Sequence, residues 1–189
     1  PVAGSTAENS AGNGSLMRLS PVAVRYFRDR SAMTDTARRQ SKVTHGAAEA
    51  VDACAVFASL LADALEGKSK DDLLAPRSVI AAPAITEIFG GSWRDKSRNE
   101  IQSSGYVVHS LEAAIWSVGN TDSFEEAVIL AANLADDADT VAAITGQLAG
   151  AIWGVSTIPA RWLECLAWRE RIEHATERLF DAAITEANR

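Results

Sequence analysis

Across residues 46–65 the apolar residues Ala47, Val51, Ala55, Ala58, Leu61, Ala62 and Leu65 recur mostly three and four positions apart. That spacing lines up one face of an α-helix. The same helical period returns through Leu111, Ala114, Ile115 and Val118, and a stretch rich in Ala and Gly fills residues 140–153. Small residues let helix backbones approach closely, a steric effect best described in membranes. No stretch alternates apolar and polar residues as a strand does. The expected fold class is therefore all-α: one compact, bundle-like domain over residues 1–189, without internal repeats or a clear linker.

Local signals divide the chain further. Residues 1–15 are small, polar and glycine-rich and read as loop. Ser20 before Pro21 predicts a helix start, with Ser as the cap and Pro at the first helical position. Gly67 ends the long helix that follows. Residues 70–89 form a helical stretch interrupted near Pro76 and Pro83 and broken at Gly90–Gly91. Ser123 and Glu126 form a capping-box pattern for a helix running to about Leu134. A last helix is expected over 163–187.

Composition narrows function. The chain carries 18 Lys+Arg against 25 Asp+Glu, a net charge of −7, which disfavours general binding to nucleic acid or an anionic membrane. No window holds about 18 uninterrupted apolar residues, so no membrane span is expected. Cys54 and Cys165 lie in separate apolar stretches and read as buried, reduced thiols, which with the lack of a visible signal peptide points to the cytoplasm.

One segment carries chemistry: Asp136, Asp137, Asp139 and Thr140, three carboxylates and a hydroxyl ahead of an apolar helix. Crowded like charges call for a cation, and oxygen donors at this density suit Mg²⁺, Mn²⁺ or Ca²⁺. The pattern is not that of an EF-hand loop. A solvated helix start, with Asp favoured by the dipole, accounts for the same residues.

The run from Asp136 through Gly154, with Asp137-Ala138-Asp139-Thr140 at its head, resembles the carboxy-terminal metal motif of the ADP-ribosylglycohydrolase family. Three more stretches agree in order. Gly12-Asn13-Gly14-Ser15-Leu16-Met17-Arg18 resembles its glycine–asparagine substrate loop, Thr44-His45 its Thr-His motif, and Ser104-Gly105-Tyr106-Val107-Val108 its Gly-Tyr-Val segment. The resemblance covers nearly the whole chain.

It implies a Mg²⁺-dependent hydrolase (Mn²⁺ being an alternative) that removes ADP-ribose from a modified protein side chain or small molecule. It implies Asp137, Asp139 and Thr140 as ligands of a two-metal centre, with Asp136 beside them orienting ligands or water. It implies Gly12, Asn13, Gly14, His45, Gly105 and Tyr106 as contacts to ADP-ribose. His109 stands where many relatives carry an acidic residue, and no role is assigned to it. The family also draws on an amino-terminal Gly-Asp motif and a Thr-Asp-Asp cluster, neither of which this sequence contains. The expectation is thus a chain incomplete at its amino terminus, completed by a missing segment or second chain. Its catalytic acid or base would lie in that segment, and the isolated chain would be weakly active and prone to self-association. The alternatives are a non-catalytic ADP-ribose-binding or structural relative, as in the crystallin of this fold, and an unrelated helical interaction domain.

Overall fold

A computed structural model describes residues 2–187. All regular structure among the described residues is helical, with two isolated backbone bridges, Ser5 with His45 and Gly12 with Tyr106, in place of any strand. Ten α-helices follow in order: α1 (Ser20–Tyr26), α2 (Arg30–Lys42), α3 (Ala48–Leu65), α4 (Lys70–Leu74), α5 (Pro83–Phe89), α6 (Val107–Gly119), α7 (Phe124–Ala132), α8 (Ala138–Trp153), α9 (Ala160–Glu164) and α10 (Arg169–Ala187).

Helices α3 and α6 form the centre. Both bury residues on every side, including Val51, Cys54, Phe57, Leu60 and Leu61 on α3 and Val107, Leu111, Ile115 and Val118 on α6. A helix apolar all round needs neighbours all round, and α3 has them in α1, α2, α4, α5, α6 and α8. Helix α8 lies against α3, α6 and α7, and α10 against α1. The buried alanines Ala50, Ala53, Ala58, Ala113, Ala114 and Ala149 let these backbones pack closely.

Several boundaries differ from the sequence expectations, each for a local reason. Ser20 is the first helical residue and Leu19 takes the capping position, so Pro21 falls one residue inside the start. Helix α2 has no counterpart in the sequence reading, because only Met33, Ala37 and Ser41 face the core from an otherwise polar segment. Its start is fixed by Asp29, whose carboxylate accepts from the Ala32 amide at 2.9 Å. Ser123 caps α7 by accepting from the Glu126 amide at 3.2 Å, but the Glu126 carboxylate turns back to the Asp122 amide, so the box is only half made. Helix α8 begins at Ala138 with Asp137 in the capping position, two residues ahead of the Ala- and Gly-rich stretch over 140–153. The expected helix over 163–187 is two, divided at Trp168, whose φ is 58°. Cys165, expected to be buried, is exposed.

The end of α6 shows how tight the packing is. A Cβ on Gly119 would lie 2.4 Å from Cζ3 and 2.6 Å from Cη2 of Trp93, and that ring is itself buried. Overpacking a core typically costs about 1–3 kcal/mol. Gly119→Ala should therefore lower stability by about that amount in denaturant unfolding, and an unchanged midpoint would contradict the packing described here.

Candidate functional site

The loop ahead of α1 and the loop ahead of α6 run side by side. Ala11 C=O accepts from the Val107 amide at 2.9 Å, and the Asn13 amide donates to Gly105 C=O at 3.0 Å. Asn13 C=O accepts from Leu16 and Met17 at 2.9 and 3.1 Å, which closes the turn. These bonds bring the Asn13 side chain inside, 8% exposed. Its Nδ2 donates to Ser110 Oγ at 2.7 Å and to Asp137 Oδ2 at 2.6 Å.

The acidic turn is fastened to the same loop from the other side. The Asp137 amide donates to Ser103 C=O at 3.0 Å. Ser103 Oγ donates to Ala135 C=O at 2.9 Å, with Leu134 C=O at 3.2 Å. Ala135 and Asp136 both have left-handed backbones, with φ of 69° and 54°. This conformation costs a non-glycine residue about 1 kcal/mol or more, and the bonds from Ser103 hold it in place. Asp137 makes no side-chain cap bond to α8; its Oδ2 is taken by Asn13. Asp136 and Asp139 are exposed, Asp137 is half-buried and Thr140 is buried.

Asp137, Asp139 and Thr140 thus share the start of α8, where the helix dipole favours negative charge. Their donors are hard oxygens, which fits Mg²⁺ or Mn²⁺ in kind. In number they fall short: among the described residues no group of three or more His, Cys, Asp or Glu is gathered where it could hold a metal ion.

Against the Gly12–Tyr106 bridge lies a groove of about 960 Å³. Gly12, His45, Gly105 and Tyr106 line it, with Ser5, Glu8 and Glu49 among others. Asn13, Gly14 and the residues of the acidic turn do not. The structure therefore divides the sequence-predicted site into a groove and an acidic turn, with Asn13 and Gly105 between them.

His45 is held in the groove wall by glycines. A Cβ on Gly14 would lie 2.8 Å from its Cε1, and one on Gly12 would lie 3.1 Å from its Nε2. Arg18 Nη2 donates to Thr44 Oγ1 at 2.7 Å, and that hydroxyl lies 2.7 Å from His45 Nδ1. The Thr44 hydroxyl thus links the Arg18 guanidinium to the imidazole and fixes the orientation of the ring. Arg18 spends its other bonds on Gln40, not on a carboxylate. Burial, and then the charge of Arg18, push the His45 pKa below its usual value.

Tyr106 donates to Glu49 Oε2 at 2.6 Å. Burial, reinforced by that bond and the Glu49 charge, raises its hydroxyl to about 12. The ring meets His109 edge-on, with centroids 4.9 Å apart. His109 Nδ1 lies 2.8 Å from Ser104 Oγ. Burial lowers the His109 pKa, outweighing Glu112 and Asp136, which act to raise it. Sequence reasoning missed Glu49, Ser103 and Ser110. Glu49 had a weak signal, four residues after His45 in the first turn of α3. Ser110 had none, because its partner Asn13 is 97 residues away.

Residues 2–189 match the ADP-ribosylglycohydrolase family. The chain belongs to that family. It is 49% identical over 177 residues to an ADP-ribosylarginine hydrolase Tri1 of Pseudomonas putida (strain GB-1), an alignment covering 93% of this chain and 47% of the relative. It is 42% identical over 185 residues to the protein of the same name from Serratia proteamaculans (strain 568), covering 97% and 50%. A solved structure described as an ADP-ribosylglycohydrolase-related protein complex superposes with a TM-score of 0.86 at 40% identity, covering 94% of this chain and 62% of that one. The chain thus spans about half the length of the curated relatives it matches. This family membership extends over both the groove and the acidic turn.

The histidines generate a pH prediction. Both His45 and His109 titrate below their usual value near 6.5 in the folded protein. Below that pH the unfolded chain takes up protons that the folded chain refuses, so stability falls as pH drops. Thermal unfolding between pH 7.5 and 5.5 should show that decline, and His45→Gln should make it shallower. Identical slopes for the two proteins would contradict the placement of the ring.

Proposed function

We propose that this chain forms part of a hydrolase that cleaves the glycosidic bond between ADP-ribose and a guanidinium group. The observation that carries the reading is the Asn13 bridge, which joins a groove to a turn of hard oxygen donors in a chain of this family. The arginine linkage is supported by the named activity of the Pseudomonas and Serratia relatives. The cytoplasm is the proposed compartment. The exposed thiol of Cys165 and the unpaired Cys54 suit reducing surroundings. Among the described residues no helix is long and apolar enough to cross a membrane.

Asp137, Asp139 and Thr140 are the residues that would hold Mg²⁺. A bound divalent cation supplies positive charge against an anionic substrate and a water of lowered pKa. The chain's own residues supply the geometry. Asn13 keeps the Asp137 carboxylate pointed in one direction by occupying Oδ2, leaving Oδ1 for another partner. Asp136 is exposed beside it, ahead of α8. Cleavage at an anomeric carbon passes through an oxocarbenium-like state, and carboxylates close by stabilise its charge. Gly12 and Gly105 bring bare backbone to the groove floor, where a ligand can approach closely. Tyr106 presents a ring anchored by Glu49 for stacking, and His45 presents an imidazole kept neutral by burial and by Arg18.

A second reading, binding without turnover, is favoured by one observation: among the described residues no group of three or more His, Cys, Asp or Glu is gathered where it could hold a metal ion. Release of ADP-ribose from ADP-ribosylarginine by the whole protein of which this chain forms part, followed by chromatography, separates the two. Hydrolysis should require Mg²⁺, cease with a chelator, and fall by about 100-fold or more in Asp137→Asn. Turnover indifferent to the chelator and to this substitution would overturn the metal assignment. Mg²⁺-dependent binding of ADP-ribose without release would establish the second reading.

A further inference from the structure

The groove is one-sided in charge. Its lining includes Glu8 and Glu49 and no lysine or arginine. Among the described residues neither carboxylate makes an ion pair. His45 is the only lining side chain that could turn cationic, and its surroundings favour the neutral ring. The start of α3 also opens here without a side-chain cap. Its dipole is worth about half a positive charge, against two acidic side chains, so the surroundings of Glu8 and Glu49 disfavour a further negative charge placed beside them.

Glu49 is also fixed in position. Tyr106 Oη donates to Oε2 at 2.6 Å, and Tyr106 is itself packed against His109. This leaves Oε1 of a positioned carboxylate, beside a phenolic oxygen that can still accept. Two acceptors side by side match a vicinal diol, which brings two hydroxyl donors. A phosphate monoester in the same place would bring two negative charges and no match. Acidic residues read the unsubstituted ribose of dinucleotides in other folds by this same discrimination.

Resting on the reading that the site takes ADP-ribose, we propose that Glu49 is a specificity-determining residue: it reads the free diol of the adenosine ribose in the groove and rejects ADP-ribose carrying a 2′-phosphate. The substrates of this protein would then arise from transferases that use the unphosphorylated nicotinamide dinucleotide as donor, and adducts made from the 2′-phosphorylated one would escape it.

The test is calorimetric titration of ADP-ribose and of 2′-phospho-ADP-ribose, in Mg²⁺, into the wild type, Glu49→Gln and Tyr106→Phe, each checked for folding by circular dichroism. The wild type should prefer ADP-ribose by about tenfold or more, the scale of one hydrogen bond to a charged group. Glu49→Gln keeps an acceptor for Tyr106 and loses the charge, so the preference should shrink to within about threefold. Tyr106→Phe frees the carboxylate but keeps its charge, so ADP-ribose should bind more weakly while the preference persists. A wild type that binds both ligands equally overturns the proposal, as does a full preference in Glu49→Gln. Loss of affinity for ADP-ribosylarginine alone in Glu49→Gln also overturns it, because the carboxylate would then be reading the guanidinium. A wild type that binds neither nucleotide overturns the ADP-ribose reading itself, and this inference with it.

Discussion

A single side-chain amide holds this site together. Asn13 and Asp137 are 124 residues apart, and the bond between them joins the loop before α1 to the turn before α8. The amide is buried and the acceptor is a carboxylate, a combination worth about 1.5–3 kcal/mol where both partners are in place. The loop before α6 lies between the two. It accepts from the Asn13 backbone N–H at Gly105 and from the Asp137 backbone N–H at Ser103. Three segments that could move independently are thereby held in one arrangement, and α3, α6 and α8 supply the rigid core behind it.

The same arrangement explains where strain and charge are tolerated. Ala135 and Asp136 adopt left-handed backbones that few residues other than glycine take readily. They do so where Ser103 fastens the turn from one side and α8 begins on the other. The aspartates that follow face a helix start, whose dipole offsets part of their repulsion. On the groove side, Tyr106 restrains Glu49, and Arg18 acts through Thr44 on His45. Charged groups in this region act largely through a neighbour that orients them.

Much of the architecture was legible in the sequence, because α3, α6 and α8 bury strongly periodic apolar residues and periodicity survives without context. Helix α2 was not legible: its polar sequence becomes helical by packing Met33, Ala37 and Ser41 on α3, a tertiary effect. The split at Trp168 was hidden for the opposite reason, since the helical pattern runs on across it. For the site, motif order pointed to Asn13, His45, Tyr106 and the aspartates. Pattern alone could not show that Gly12, His45, Gly105 and Tyr106 line a groove that the acidic turn does not. Nor could it reveal Ser103 and Ser110, ordinary serines whose part depends on which distant residue they meet.

The claim that Asn13 and Asp137 couple the two ends of the site is tested most directly by a double-mutant cycle in urea unfolding, with Asn13→Ala, Asp137→Ala and the pair. The account predicts that the two substitutions are strongly non-additive, with a coupling energy of about 1–3 kcal/mol. Additive effects, with a coupling energy near zero, would mean that the loop and the acidic turn are held in place independently, and would contradict the account.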